Sequence, residues 1–158
     1  MKMKSHNRKK NESFTFDDKL KKLAVLSETD PEHALKEARK LLKQHSSNII
    51  LLTIAGNSAK NNGMTSDANY FIDKALELDP EFLFALRVKA SLEIDDKNYK
   101  KSLPYLEKAN NLHPEDTRTL FLLMLSLYRL KKYDDIFELF KKLEKISKKN
   151  SDILNVYG

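Results

Sequence analysis

Apolar residues in this chain fall into short stripes at helical spacing, separated by polar turns, and the stripes recur at a fixed interval. Phe16, Leu20, Leu23 and Leu26 form the first stripe, and Ala34, Leu35, Ala38, Leu41 and Leu42 form the next. Between them, Asp30-Pro31-Glu32 reads as a helix start: Asp caps free backbone N–H groups, and proline is tolerated in a first turn that needs no donor. Further helices are predicted over 48–61, 65–78, 81–95, 99–112, 115–130 and 134–147. Asn62-Gly63 supplies one turn, since glycine accepts positive φ cheaply. Connections this short make neighbouring helices antiparallel, giving helical hairpins. Pro104 sits inside one predicted helix, so a late start or a bend is expected there.

The interval is 34 residues, the separation of Pro80 and Pro114. Ala34, Ala68, Ser102 and Ile136 keep that step, as do Leu41, Ala75, Ala109 and Leu143. So do Ala38, Ile72, Leu106 and Phe140, and Lys22, Gly56, Ala90, Met124 and Gly158. Two more columns run Thr65, Tyr99, Tyr133 and Leu52, Leu86, Leu120, Leu154. A period of this size means stacked copies of one small unit, not a single globular core. Small residues recur where two helices approach closely, with larger apolar ones beside them.

These columns resemble tetratricopeptide repeats, most closely in Leu52, Ala55-Gly56, Ala59, Ala68, Ile72, Ala75 and Pro80. The third unit keeps Leu86, Ala90, Tyr99, Ser102, Leu106, Ala109 and Pro114. The fourth keeps Leu120, Leu123, Tyr133, Phe140 and Leu143 but has Met124 and Ile136 in small columns. The first is weak in its first helix, where Asp18, Lys21 and Lys22 fill core-type columns. The resemblance implies an all-α fold, a right-handed α-α superhelix or solenoid of stacked hairpins. Units are expected at about 15–48, 49–82, 83–116 and 117–150, with a partial fifth at 151–158 that keeps Leu154 and Gly158 in phase. That last segment is either the opening of a longer solenoid or a short final helix on the fourth hairpin.

Composition narrows the function classes. Only three Gly and four Pro in 158 residues leave little room for turn-rich β architecture. No Cys means no disulfide framework, thiolate zinc site or cysteine nucleophile. The four His have no metal-ligand spacing, three scattered Gly cannot build a phosphate cradle, and no nucleophile–base–orienter pattern appears. The expectation is therefore no enzyme, no cofactor, no metal and no small-molecule substrate. The start of the chain lacks the apolar stretch of a secretory signal, and no apolar run is long enough to span a bilayer, so a cytoplasmic location is expected. The formal charge of +6 is concentrated at the start, where residues 1–22 hold eight Lys/Arg against three acidic residues. Residues 1–13 have almost nothing to bury and are expected to be disordered. Lys2, Lys4, Arg8, Lys9 and Lys10 either solvate a tail or meet nucleic acid or an acidic surface by charge.

A binding groove remains. The resemblance implies that the first helix of each hairpin lines a concave face. Leu20, Ile54, Val88, Leu122 and Val156 form one apolar column there, which either faces a ligand or packs between neighbouring helices. Ile50, Asn57, Phe84, Arg87, Ser91, Arg118, Phe121 and Leu125 stand near it, with Asn57 and Arg87 able to bond a partner's backbone. The resemblance also raises two known gripping patterns. Of Thr53, Asn57, Val88, Arg118 and Leu122 only Asn57 and Arg118 suit a carboxylate clamp, and the apolar column replaces the asparagine ladder seen beside sugar transferases. The expected function is a protein-binding module, an adaptor or chaperone-like holder of a peptide or partner helix. The alternatives are the repeat region of a longer glycosyl- or sulfotransferase and a basic RNA-associated helper.

Overall fold

The structure, a computed structural model, describes residues 15–157, with side chains through residue 145. The expected disorder of residues 1–13, the five basic tail residues, the side chains of Leu154 and Val156 in their columns, and Gly158 lie outside what it describes. Among the described residues every regular element is a helix: α1 (Phe16–Thr29), α2 (Pro31–Leu42), α3 (Ile49–Asn61), α4 (Thr65–Leu78), α5 (Leu83–Asp95), α6 (Tyr99–Leu112), α7 (Thr117–Arg129) and α8 (Tyr133–Tyr157).

Short polar side chains start half of these helices. Thr15 and Asp18 form a reciprocal capping box at α1. Asp30, Asn48 and Asp116 accept backbone N–H bonds from His33 (3.2 Å), Leu51 (2.9 Å) and Thr119 (2.8 Å). The turns inside three pairs are copies of one another. Gly63, Lys97 and Lys131 all take positive φ, at 72°, 61° and 58°. The next residue in each case donates its N–H five residues back, Met64 to Ala59, Asn98 to Glu93 and Lys132 to Leu127. This is the left-handed helix ending that returns the chain antiparallel.

Each helix packs on the next in the chain, and α1, α3, α5 and α7 also touch in succession. The second helices of the pairs have no such mutual contact among the described residues. First helices therefore crowd together while second helices splay, which bends the stack with the first helices on its inner side. The small-residue column explains the tight spacing: Ala34, Ala68 and Ser102 are each fully buried. Their neighbours Ala38, Ile72 and Leu106 are also fully buried. Ser102 and Ser126 share a buried hydroxyl–hydroxyl bond of 2.8 Å between α6 and α7.

Two expectations about helix boundaries change. Pro104 causes no late start, because α6 begins at Tyr99 and runs through it. Pro104 lies on the exposed face, where water can take up the carbonyl its missing N–H leaves free. The expected turn before residue 151 is absent, because α8 continues unbroken to Tyr157. Lys148 stands one interval after Pro114, so nothing at that position stops the helix. No described helix is long and apolar enough to cross a membrane.

Candidate functional site

An open cleft of about 370 Å³ runs along the inner, first-helix side. Glu28 of α1 borders it, with Asn57 and Lys60 of α3 and Phe84, Arg87, Val88 and Ser91 of α5. Thr117, Arg118, Phe121 and Leu122 of α7 complete the lining. Residues four apart on one helix share a face, and that face repeats from one first helix to the next, which is why the lining residues recur in steps of three or four.

Eight of the eleven groove residues picked out from the pattern line this cleft: Asn57, Phe84, Arg87, Val88, Ser91, Arg118, Phe121 and Leu122. The other three do not. Ile54 is fully buried, Ile50 is exposed at the start of α3, and Leu125 is half-buried beyond the cleft. The apolar column of Leu20, Ile54 and Val88 is buried between helices, so it holds layers together and is not an open gripping surface. Only Leu122, in the last described layer of that column, is part-exposed. Pattern reading missed Glu28, Lys60 and Thr117. The stride from Asn57 to Lys60 was the available signal for one of them.

The two residues expected to meet a partner's backbone are already engaged. Asn57 donates from its buried amide to Ser27 Oγ and Glu28 Oε1, both at 3.0 Å. Arg87 Nη1 donates to Asp116 Oδ1 at 2.8 Å and Oδ2 at 3.0 Å, and its guanidinium lies 5.7 Å from the Phe84 ring centre. Asp116 also accepts from the Thr119 N–H and hydroxyl. Partial burial pushes the Asp116 carboxyl up, but the Thr119 and Arg87 hydrogen bonds outweigh it and hold the pKa below the ordinary value. Lys60 Nζ stands 3.6 Å from Asp95. Arg118 is exposed and has no hydrogen bond or ion pair among the described residues.

The cleft thus combines an apolar floor of Phe84, Phe121 and Leu122 with one uncommitted cation. Among the described residues no three His, Asp or Glu gather in a way that could hold a metal ion.

These helical hairpins, stacked with their first helices inward, make the chain an all-α solenoid. Its fold is that of the tetratricopeptide repeat, as comparison with solved structures shows. MamA from Desulfovibrio magneticus RS-1, residues 41 to the end, is 27% identical with a TM-score of 0.63, over 79% of this chain and 73% of that one. YrrB, a tetratricopeptide-repeat protein with an unusual peptide-binding site, is 25% identical with a TM-score of 0.62, over 77% of this chain and 63% of that one. A tetratricopeptide-repeat protein from Parabacteroides merdae ATCC 43184 is 20% identical with a TM-score of 0.62, over 81% and 52%. No protein-family model and no curated protein matches the sequence.

Proposed function

We propose that this chain is a non-enzymatic interaction scaffold that holds an extended peptide segment of another protein in the first-helix cleft. The observation that carries this reading is the pairing of exposed Phe121 with uncommitted Arg118 across one helical turn of a preformed cleft. Aromatic and arginine side chains are the types that anchor interfaces. The likeness to YrrB, a protein with a peptide-binding site, supports the same reading. The chemistry favours a segment with an apolar side chain for Phe84, Phe121 and Leu122 and a carboxylate for Arg118.

A peptide array followed by fluorescence anisotropy tests it. Phe121→Ala should weaken the best binders about tenfold or more, and Arg118→Glu should select against acidic peptides. Retained helicity is expected, because both side chains are exposed. Arg87→Glu is the wrong probe, since it sets a second carboxylate against Asp116 and disturbs the stack. Peptides bound equally well by both variants would remove the cleft as the site.

A further inference from the structure

The cleft carries two uncompensated charges of opposite sign, one at each end. Its charged lining residues are Glu28, Lys60, Arg87 and Arg118. The two from the middle of the stack are already matched, Lys60 to Asp95 at 3.6 Å and Arg87 to Asp116 at 2.8 Å. The two from the outer helices are not. Glu28 of α1 is exposed and has no cation within ion-pair distance among the described residues. Its carboxylate accepts a hydrogen bond from the neutral amide of Asn57 at 3.0 Å, and an ionised carboxylate has room for more. Arg118 of α7 is likewise exposed and without an anion among the described residues. The cation is peculiar to α7, since the same column holds Ile50 in α3 and Phe84 in α5.

Each of these charges also sits at the helix end that disfavours it. Glu28 lies in the last turn of α1, where the aligned peptide dipoles leave partial negative charge. Arg118 lies in the first turn of α7, where they leave partial positive charge. Neither placement helps its own helix, and each strengthens the field at its end of the cleft. The polarity follows from how the cleft crosses the stack. It passes from the C-terminal ends of α1 and α3, at Glu28 and Lys60, to the N-terminal end of α7, at Arg118. Phe84 of α5 stands in the layer between, and Phe121 is one helical turn from Arg118.

Resting on the reading of this cleft as a peptide site, we propose that it selects a bipolar segment. A lysine or arginine of the partner meets Glu28, an aspartate or glutamate meets Arg118, and an apolar residue between them meets Phe84 and Phe121. The apolar contact supplies most of the affinity, because exposed ion pairs add little. The charges supply selection, because a like charge set at either end is rejected. They also orient the segment, its basic end over α1 and its acidic end over α7. Glu28 is thereby a specificity-determining residue.

Fluorescence anisotropy with synthetic peptides on the full chain tests it. Each peptide carries one leucine between two charged residues, either Lys and Glu, two Lys or two Glu, at several spacings. The Lys–Leu–Glu set should contain binders about fivefold tighter than either single-sign set, and high salt should close the gap. Glu28→Gln keeps an acceptor for Asn57 but removes the charge, and it should bind Lys–Leu–Glu and Glu–Leu–Glu equally. Glu28→Lys should prefer Glu–Leu–Glu. If Glu28→Lys lowers helicity, Glu28→Gln carries the test alone. A bipolar preference that survives Glu28→Gln overturns the proposal. So does binding that is lost in Phe121→Ala yet ignores the sign of the peptide charges, which leaves the cleft as a peptide site. Binding indifferent to Phe121→Ala, or no binding at all, removes both readings.

Discussion

At single positions the repeat imposes demands that the local residue does not always suit. Lys97 and Lys131 occupy the left-handed turn site that Gly63 occupies in the earlier copy. A residue with Cβ pays roughly 1–2 kcal/mol there. Lys97→Gly should therefore raise stability by about 1 kcal/mol in urea denaturation, and a loss would mean that the lysine side chain has a compensating contact. Gly56 shows the reverse constraint. A Cβ on it would stand 2.5–2.6 Å from the Ile72 side chain and 3.3 Å from the Ala68 carbonyl. Gly56→Ala gains helix propensity, but the overpacking cost of ~1–3 kcal/mol should prevail. Its cost should shrink in an Ile72→Ala background, where the clash is gone, and equal costs in both backgrounds would count against a clash. Asp116 joins two duties, capping α7 and holding Arg87 of α5. Because its folded pKa lies below the ordinary value, its contribution is present above the unfolded pKa of about 3.9 and fades as pH falls through the folded value. Asp116→Asn should flatten the acid limb of the stability–pH curve, and an unchanged limb would show that other carboxylates set it.

Helices were more legible in the sequence than their surroundings. The 34-residue columns placed Ala34, Ala68 and Ser102 in equivalent buried sites because a repeated contact leaves a repeated residue. The same columns could not say whether Ile54 faced a ligand or a neighbouring helix. A period reports that positions are equivalent, not what covers them, and only packing decides that Ile54 is sealed while Phe121 is open. At the end of α8 the phase with Leu52 and Leu86 favours a new helix, whereas the backbone runs on as one helix to Tyr157, since a helix needs a breaker to stop. Lys132 and Asp135, paired at 3.0 Å, help start α8, and no Gly or Pro lies between Asp135 and Tyr157. Pro104 stands inside a helix that begins at Tyr99 regardless, and its exposed setting in α6 gives the prediction. Pro104→Ala restores a backbone N–H to an intact helix and should stabilise by about 1–3 kcal/mol. A destabilisation would mean that α6 needs proline to hold its path.

The whole stack has no single centre, and its stability is a sum of layers and the interfaces between them. Those interfaces are unequal. The helix α3 touches α1, α2, α4 and α5, whereas α8 touches α7 alone among the described residues. Most of α3 is buried, from Leu51 through Ala59, while the described part of α8 buries Leu139 and half-buries Ile136 and Leu143. Opening α8 therefore exposes little apolar surface, and opening α3 dismantles three layers. Amide hydrogen exchange should follow that order, slowest in α3 and α4, intermediate in α5 and α6, and fastest in α8. Uniform protection from α1 to α8 would mean that the layers unfold as one cooperative unit, and that buried area within each layer does not govern where this solenoid opens.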